Sequence, residues 1–130
     1  RDGTIDAIAT DHAPHSPEEK NVEFDQAPFG IIGLETSLGV CWTELVATGA
    51  LTPAQLIEKM STNPARIHGL PAGTLAVGSA ADVVVIDPAR RWTVPKRFRS
   101  KSRNSPFVGR ELVGKAVLTL VAGAVRYQEA

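Results

Sequence analysis

The chain has 130 residues, a formal net charge of zero at neutral pH and 43% hydrophobic residues. This composition is typical of a globular domain, and no apolar run approaches the roughly 20 residues that a membrane-spanning helix needs. A single cysteine, Cys41, excludes a disulfide framework and favours a reducing compartment. We therefore expect a cytoplasmic protein that does not bind membranes.

The charges are unevenly divided along the chain. Residues 1–87 carry 4 basic and 12 acidic side chains, whereas residues 88–130 carry 10 basic and 2 acidic ones. Eight of these basic side chains lie within residues 90–110, which could form a surface for nucleic acid or another anion. We favour the alternative, a solvated segment lying against the acidic remainder, because few aromatic residues are interleaved and no nucleic-acid fold signature accompanies the segment.

The first predicted element is a strand that ends in a polar cluster. Residues 5–9 are an apolar run typical of a buried, parallel strand, and Pro14 prevents its continuation. Asp11, His12 and His15 would then follow the carboxyl end of a strand, where ligands and catalytic groups collect in parallel sheets. Oxygen and nitrogen ligands of this kind suit Zn²⁺. The alternative is that Asp11 stabilises a turn and the histidines are ordinary loop residues.

A polar segment and a helix are predicted next. Residues 16–28 indicate a loop that is long enough to lie over a site. Apolar residues recur at helical spacing from Ile31 to about Ala47, and Gly49 would end this helix. At its start, Gly30 would let backbone N–H groups approach a ligand, although a simple turn is equally consistent with the sequence.

Two short helices follow. Thr52-Pro53-Ala54-Gln55 is a capping-box pattern, with a hydroxyl at the N-cap and proline at the first helical position. Asn63-Pro64 predicts the start of another helix that ends near His68-Gly69, with glycine just past the end. We interpret His68 as a helix-terminus residue rather than a ligand.

From residue 70 onward the sequence contains short runs of residues with high β propensity, separated by glycines and prolines. Strands are predicted at residues 74–77, 82–86, 112–121 and 124–127, with a tight turn at Ala122-Gly123. The second of these strands is apolar from Val83 to Ile86, so we expect it to be buried on both faces.

Two motifs carry a family resemblance. Thr10-Asp-His-Ala-Pro-His15 and Ala27-Pro-Phe-Gly-Ile31 closely resemble the end of the catalytic barrel of dihydroorotases, chiefly of the longer bacterial type. These are metal-dependent cyclic-amide hydrolases of the amidohydrolase superfamily. The resemblance continues through Ser61–Arg66, Gly78–Asp82 and Asn104–Phe107, which recur across the superfamily and discriminate less. It covers nearly all of the chain.

The resemblance implies an α/β fold. Residues 1–69 would form the last strand and helices of a TIM-type (β/α)8 barrel, and residues 70–130 the carboxyl-terminal strands of a small composite β-sandwich. Because the chain opens on Arg1 rather than methionine, we expect it to be the carboxyl-terminal part of a longer protein. The family's other metal ligands would precede residue 1, so we expect this segment alone to be inactive.

The resemblance also implies a site. Asp11 would be both a metal ligand and the general acid/base, while His15, Phe29 and Gly30 would bind the substrate. One or two Zn²⁺ ions would be the cofactor. His12 is not assigned as a ligand and could orient Asp11 instead. The implied reaction is the reversible hydrolysis of dihydroorotate to N-carbamoyl-aspartate in de novo pyrimidine biosynthesis.

The implied partners are this small-molecule substrate and the upstream part of the same chain, with a homodimer and aspartate transcarbamoylase as further candidates. No nucleic acid or membrane is expected. One alternative is another cyclic-amidase, such as an allantoinase or dihydropyrimidinase. A second is a catalytically dead homologue that serves as a structural partner of aspartate transcarbamoylase, against which the retained Asp11 argues.

Overall fold

A computed structural model describes residues 2–129, with helices in the first half and an antiparallel sheet in the second. The helical segments are α1 (Pro17–Lys20), α2 (Ser37–Cys41) with a π-helical continuation (Trp42–Val46), α3 (Pro53–Ile57) with a second one (Glu58–Thr62), and α4 (Asn63–Ile67). The strands are β1 (Val83–Thr93), β2 (Glu111–Val121) and β3 (Ala124–Gln128). Within residues 2–129, none of the helices combines the length and apolar character needed to cross a bilayer.

Residues 5–9 do not form the predicted buried strand. The segment is extended, but Ile5 is 68% exposed and no strand pairs with it among residues 2–129. It is attached instead to the helices, through a hydrogen bond from Ile8 N to the Lys59 carbonyl (2.9 Å) and one from Asn63 Nδ2 to the Asp6 carbonyl (2.8 Å). Within residues 2–129 the segment is therefore extended but unpaired, and its pairing with upstream barrel strands stays a prediction.

The helix predicted from Ile31 begins six residues later, at Ser37. The backbone at its expected start is held in other hydrogen bonds. Ile31 accepts from the Ala13 N–H (2.9 Å), and the Ile32 N–H donates to the Asn104 carbonyl (3.2 Å). Because these contacts keep the backbone away from helical geometry, the apolar spacing alone places the start too early.

The helical run from α3 to α4 confirms the predicted capping box. The Thr52 hydroxyl accepts from the Gln55 N–H, and the Gln55 side chain accepts from the Thr52 N–H. The two predicted helices form one run, however, because the wider turn at Glu58–Thr62 precedes Pro64, whose ring disrupts a regular α-helix. The run ends as predicted at Gly69, whose φ of +64° lies in the left-handed region.

The sheet has the order β1-β2-β3 with antiparallel pairs throughout. Strands at 112–121 and 124–127 are confirmed, as is the tight turn at Ala122-Gly123, both of whose residues have positive φ. The strand predicted at 82–86 is present but longer, since β1 continues to Thr93. Residues 74–77 are not a strand; they lead into a turn at residues 77–79.

Burial of β1 on both faces is not observed for the described residues, since Val84 and Val85 are 49% and 43% exposed. Among the described residues β1 lies at one edge of the sheet, with β2 as its neighbour.

The helices pack on the sheet at two glycines. Trp42 lies directly against Gly114, where a Cβ would overlap the indole ring. A Cβ on Gly39 would fall 2.7 Å from Trp92 Cζ2. Trp42 belongs with Leu51 and Leu56 to the buried core. The absence of two side chains thus lets two tryptophans join the helical half to the sheet.

Candidate active site

The two motifs singled out in the sequence lie side by side. The Ala13 N–H donates to the Ile31 carbonyl at 2.9 Å, which pairs the Asp11–His15 segment with the Pro28–Gly33 segment. A Cβ on Gly33 would overlap the carbonyl oxygen of Asp11, so only glycine permits this approach. The structure therefore brings together all the residues for which a site role is predicted.

The Asp11 carboxylate is exposed at the junction of these segments. Its Oδ1 accepts a hydrogen bond from the His12 N–H at 2.7 Å. Its Oδ2 lies 3.9 Å from the position that a Cβ on Gly30 would occupy. One carboxylate oxygen is thus fixed by the backbone while the other faces Gly30, an arrangement that can ligate a cation or exchange a proton.

Gly30 has a φ of +102°, and a Cβ at this position would overlap the Cβ of Ala13. Its carbonyl accepts from Lys20 Nζ (3.1 Å) and from Asn104 Nδ2 (3.4 Å). Within residues 2–129 its N–H donates to no protein acceptor. Gly30 thus offers a backbone donor near Asp11, although it does not lie at a helix start as predicted, since α2 begins at Ser37.

His15 is held by three contacts. Its Nε2 donates to the Phe29 carbonyl at 3.0 Å, and its backbone N–H donates to Asn104 Oδ1 at 3.2 Å. Its Nδ1 lies 3.7 Å from Glu19 Oε2. Phe29 is 97% exposed, so within the described structure it contacts His15 through its backbone carbonyl rather than its ring.

Glu19 belongs to the capping box of α1. Its carboxylate accepts from the Ser16 N–H at 2.7 Å, and this hydrogen bond, with a smaller contribution from the nearby His15 ring, lowers the pKa of Glu19. The segment predicted as a loop therefore contains a short helix that places a carboxylate next to His15.

The ring of His12 does not orient the Asp11 side chain. Its Nδ1 accepts from the backbone N–H groups of Gly33 (3.3 Å) and Leu34 (3.5 Å). The backbone N–H of His12, rather than its ring, is the group that holds Asp11. His12 therefore joins the two segments of the site.

Sequence reasoning missed two residues that hold the site together. Lys20 Nζ donates to the carbonyls of Pro28 (2.8 Å) and Gly30 (3.1 Å). Asn104 Nδ2 donates to the Ala13 carbonyl at 2.8 Å. Asn104 stands in the Asn-Ser-Pro-Phe motif, which is the signal that could have found it, whereas Lys20 lies in an ordinary polar segment.

The donor set for a metal is incomplete within the described residues. No group of three or more His, Cys, Asp or Glu side chains that could hold a metal ion occurs in residues 2–129. The exposed carboxylate of Asp11 fits the role of one ligand, because its Oδ2 is not taken up by the hydrogen bond from His12. The Nδ1 atom of His12, by contrast, is occupied by two backbone donors.

The basic segment at residues 90–110 lies partly against acidic side chains. The Glu35 carboxylate accepts from the N–H groups of Arg99 and Ser100, both at 3.0 Å. Arg110 forms an ion pair with Glu44. These contacts agree with a solvated segment lying against the acidic half of the chain.

The sequence matches the Amidohydrolase family over residues 1–126. Because this match covers nearly the whole chain, the chain belongs to the amidohydrolase family, as the resemblance predicts. It is an α/β portion of such a protein.

More particular similarities lie within that family. The chain is 58% identical over 129 residues to the dihydroorotase of Pelotomaculum thermopropionicum and 57% identical over 129 residues to that of Anaeromyxobacter dehalogenans. Each comparison covers 98% of this chain but only 30% of the relative. The chain thus spans 30% of the length of these curated relatives.

Solved structures of hydantoinases have the same fold over this region. The L-hydantoinase (dihydropyrimidinase) of Arthrobacter aurescens is 37% identical with a TM-score of 0.92, covering 98% of this chain and 30% of that one. The D-hydantoinase (dihydropyrimidinase) of a Thermus species is 34% identical with a TM-score of 0.88, covering 98% and 29%.

Proposed function

We propose that this chain is part of a dihydroorotase, which hydrolyses the cyclic amide of dihydroorotate reversibly to N-carbamoyl-aspartate in de novo pyrimidine biosynthesis. The observation that carries the proposal is the identity of more than half of the residues, over nearly the whole chain, to proteins named dihydroorotase. The pairing of the Asp11 and Gly30 segments supports it, since both specific motifs meet at one place.

Opening a cyclic amide at neutral pH requires a hydroxide, a polarised carbonyl and a proton for the departing nitrogen. One or two bound Zn²⁺ ions would supply the first two, with Asp11 as one ligand. We assign to Asp11 the transfer of the proton, from the attacking water to the departing nitrogen. Its exposed Oδ2 beside Gly30 supports this role, because a ring bound at the Gly30 backbone would lie within reach of the carboxylate.

The substrate contacts are assigned to Gly30 and His15. The Gly30 N–H would donate to the ring amide, and His15 would bind the substrate carboxylate. The hydrogen bond from His15 Nε2 to the Phe29 carbonyl would fix the orientation of the imidazole before substrate binds. Nδ1 would then be the ring atom that donates to the substrate carboxylate, in place of its contact with Glu19.

For the whole protein we propose that residues 1–69 complete a TIM-type barrel and that residues 70–130 belong to a composite β-sandwich. The other Zn²⁺ ligands would come from the remainder of the protein. We further propose a cytoplasmic location and, as candidate partners, a second copy of the protein and aspartate transcarbamoylase.

A second candidate function is favoured by the structural similarities. The hydantoinases that share the fold act, by their names, on other cyclic amides, but they are only 34–37% identical to this chain. A third candidate is an inactive dihydroorotase homologue. Turnover of dihydroorotate, hydantoin, dihydrouracil and allantoin by the whole protein would separate these three functions.

The decisive variant is Asp11→Asn in the whole protein. We expect its kcat for dihydroorotate to fall by about 10²- to 10⁴-fold, the range for loss of a general acid/base, with unchanged thermal unfolding. Asp6→Asn is the matched control, because Asp6 is also exposed and takes part in the structure through its backbone carbonyl. Near-normal turnover by Asp11→Asn would refute the assigned role, and an inactive wild-type protein would refute the dihydroorotase assignment.

His15→Ala tests the substrate contact. Loss of a hydrogen bond to a charged group should raise KM by about ten- to a hundredfold, with a smaller effect on kcat. His68→Ala is its control, since His68 is an exposed residue at the end of α4. An unchanged dependence on dihydroorotate concentration would remove His15 from the substrate site.

A further inference from the structure

Asn104 connects the two segments of the candidate site, from which it is far removed in sequence. Its Nδ2 donates to the Ala13 carbonyl (2.8 Å) and, more weakly, to the Gly30 carbonyl (3.4 Å). Its Oδ1 accepts from the His15 N–H at 3.2 Å. One half-buried side chain therefore bonds to the backbone on both sides of the site.

The backbone of the same residue adds a fourth contact, because its carbonyl accepts from the Ile32 N–H at 3.2 Å. Asn104 is thus attached to the second segment at two points, Gly30 and Ile32. A shift of residue 104 would change the separation between that segment and the His15 backbone.

An amide suits this place for a chemical reason. The position needs an acceptor for one N–H and a donor for two carbonyl oxygens, and an asparagine side chain has both. Aspartate has nearly the same shape, but its carboxylate would face two carbonyl oxygens without a proton to share. This comparison separates the hydrogen-bond pattern from the volume of the side chain.

We propose that Asn104 is a positioning residue, which sets the distance between the Asp11–His15 segment and the Phe29–Gly30 backbone. It acts through Ala13, His15 and Gly30 and does not itself touch the substrate. The proposal rests on the proposed function, because it assigns to Asn104 the geometry of that same site.

The test uses the whole protein with Asn104→Asp and Asn104→Ala, and Asn21→Asp as the control for the same chemical change at an exposed position. A misplacement of about 1 Å can cost about 10²-fold in rate, and we expect a loss of kcat/KM of about tenfold or more for both Asn104 variants. Asn104→Asp should be at least as impaired as Asn104→Ala. Wild-type values for Asn104→Asp would overturn the proposal.

A double-mutant cycle with His15→Ala distinguishes positioning from general destabilisation. If Asn104 acts partly through His15, then Asn104→Ala should cost several-fold less in kcat/KM when His15 is already alanine. Fully additive losses, together with a lowered unfolding temperature, would indicate a merely structural role and overturn the proposal.

Amide hydrogen exchange provides a test that does not depend on catalytic activity. Asn104→Asp should accelerate amide exchange in peptides covering residues 10–16 and 28–34, while β2 keeps its wild-type protection. Unchanged exchange in both peptides would overturn the proposal even if the protein were active. If the wild-type protein failed to open dihydroorotate, the proposed function would be wrong. The hydrogen-exchange measurement would still decide whether Asn104 positions the two segments.

Discussion

Gly30→Ala is the substitution for which the structure makes the sharpest prediction. A φ of +102° disfavours any side chain, at a cost of about 1–3 kcal/mol. The new Cβ would also overlap the Cβ of Ala13, far inside the roughly 3.5 Å of an ordinary carbon contact. Because both atoms are attached directly to the backbone, one segment has to move by about 1 Å, for which we expect a loss of kcat/KM of about 10²-fold.

The matched control is Gly78→Ala. Gly78 has a similar φ of +89°, but a Cβ there would meet no atom within 4 Å. Both variants should lose comparable stability from backbone strain, while only Gly30→Ala should lose activity in steady-state assays of the whole protein.

The second substitution Ala13→Gly should restore most of that activity, since the new Cβ would then lie 3.9 Å from the Ala13 Cα. Equal kinetic effects at Gly30 and Gly78, or no rescue by Ala13→Gly, would refute the steric argument.

Two further predictions concern the core and the pH dependence. Leu56 is fully buried, so Leu56→Ala should destabilise the protein by about 2–5 kcal/mol in denaturant unfolding, whereas Leu56→Met should cost less than about 1.5 kcal/mol; equal effects would contradict close packing there. The hydrogen bond from the Ser16 N–H lowers the pKa of Glu19 in the folded protein. The ionised Glu19 side chain therefore stabilises the fold at pH values above its unfolded-state pKa. This stabilisation is lost as the pH falls through the lower folded-state pKa. The stability difference between wild type and Glu19→Gln should therefore disappear in the acid range, and an NMR titration placing the Glu19 pKa at or above its ordinary value would contradict this.

Features that depend on near neighbours in the chain were determined by the sequence alone. The capping box at Thr52 and Gln55, the helix end at Gly69 and the tight turn at Ala122-Gly123 all follow from the chemistry of a few consecutive residues. The strands β2 and β3 are likewise predicted from runs of residues with high β propensity on either side of that turn. For the capping box, the helix end and the turn, the responsible hydrogen bonds or dihedral angles lie within a few residues.

The geometry of the candidate site was decided by the tertiary structure. The late start of α2, the contact of the His12 ring with Gly33 and the role of Asn104 all depend on hydrogen bonds between segments distant in sequence. The motifs predict roles for Asp11 and Gly30, but no periodicity or spacing shows which backbone groups face each other. Since a hydrogen bond between residues 13 and 104 depends on how the intervening 90 positions fold, only the packed chain determines it.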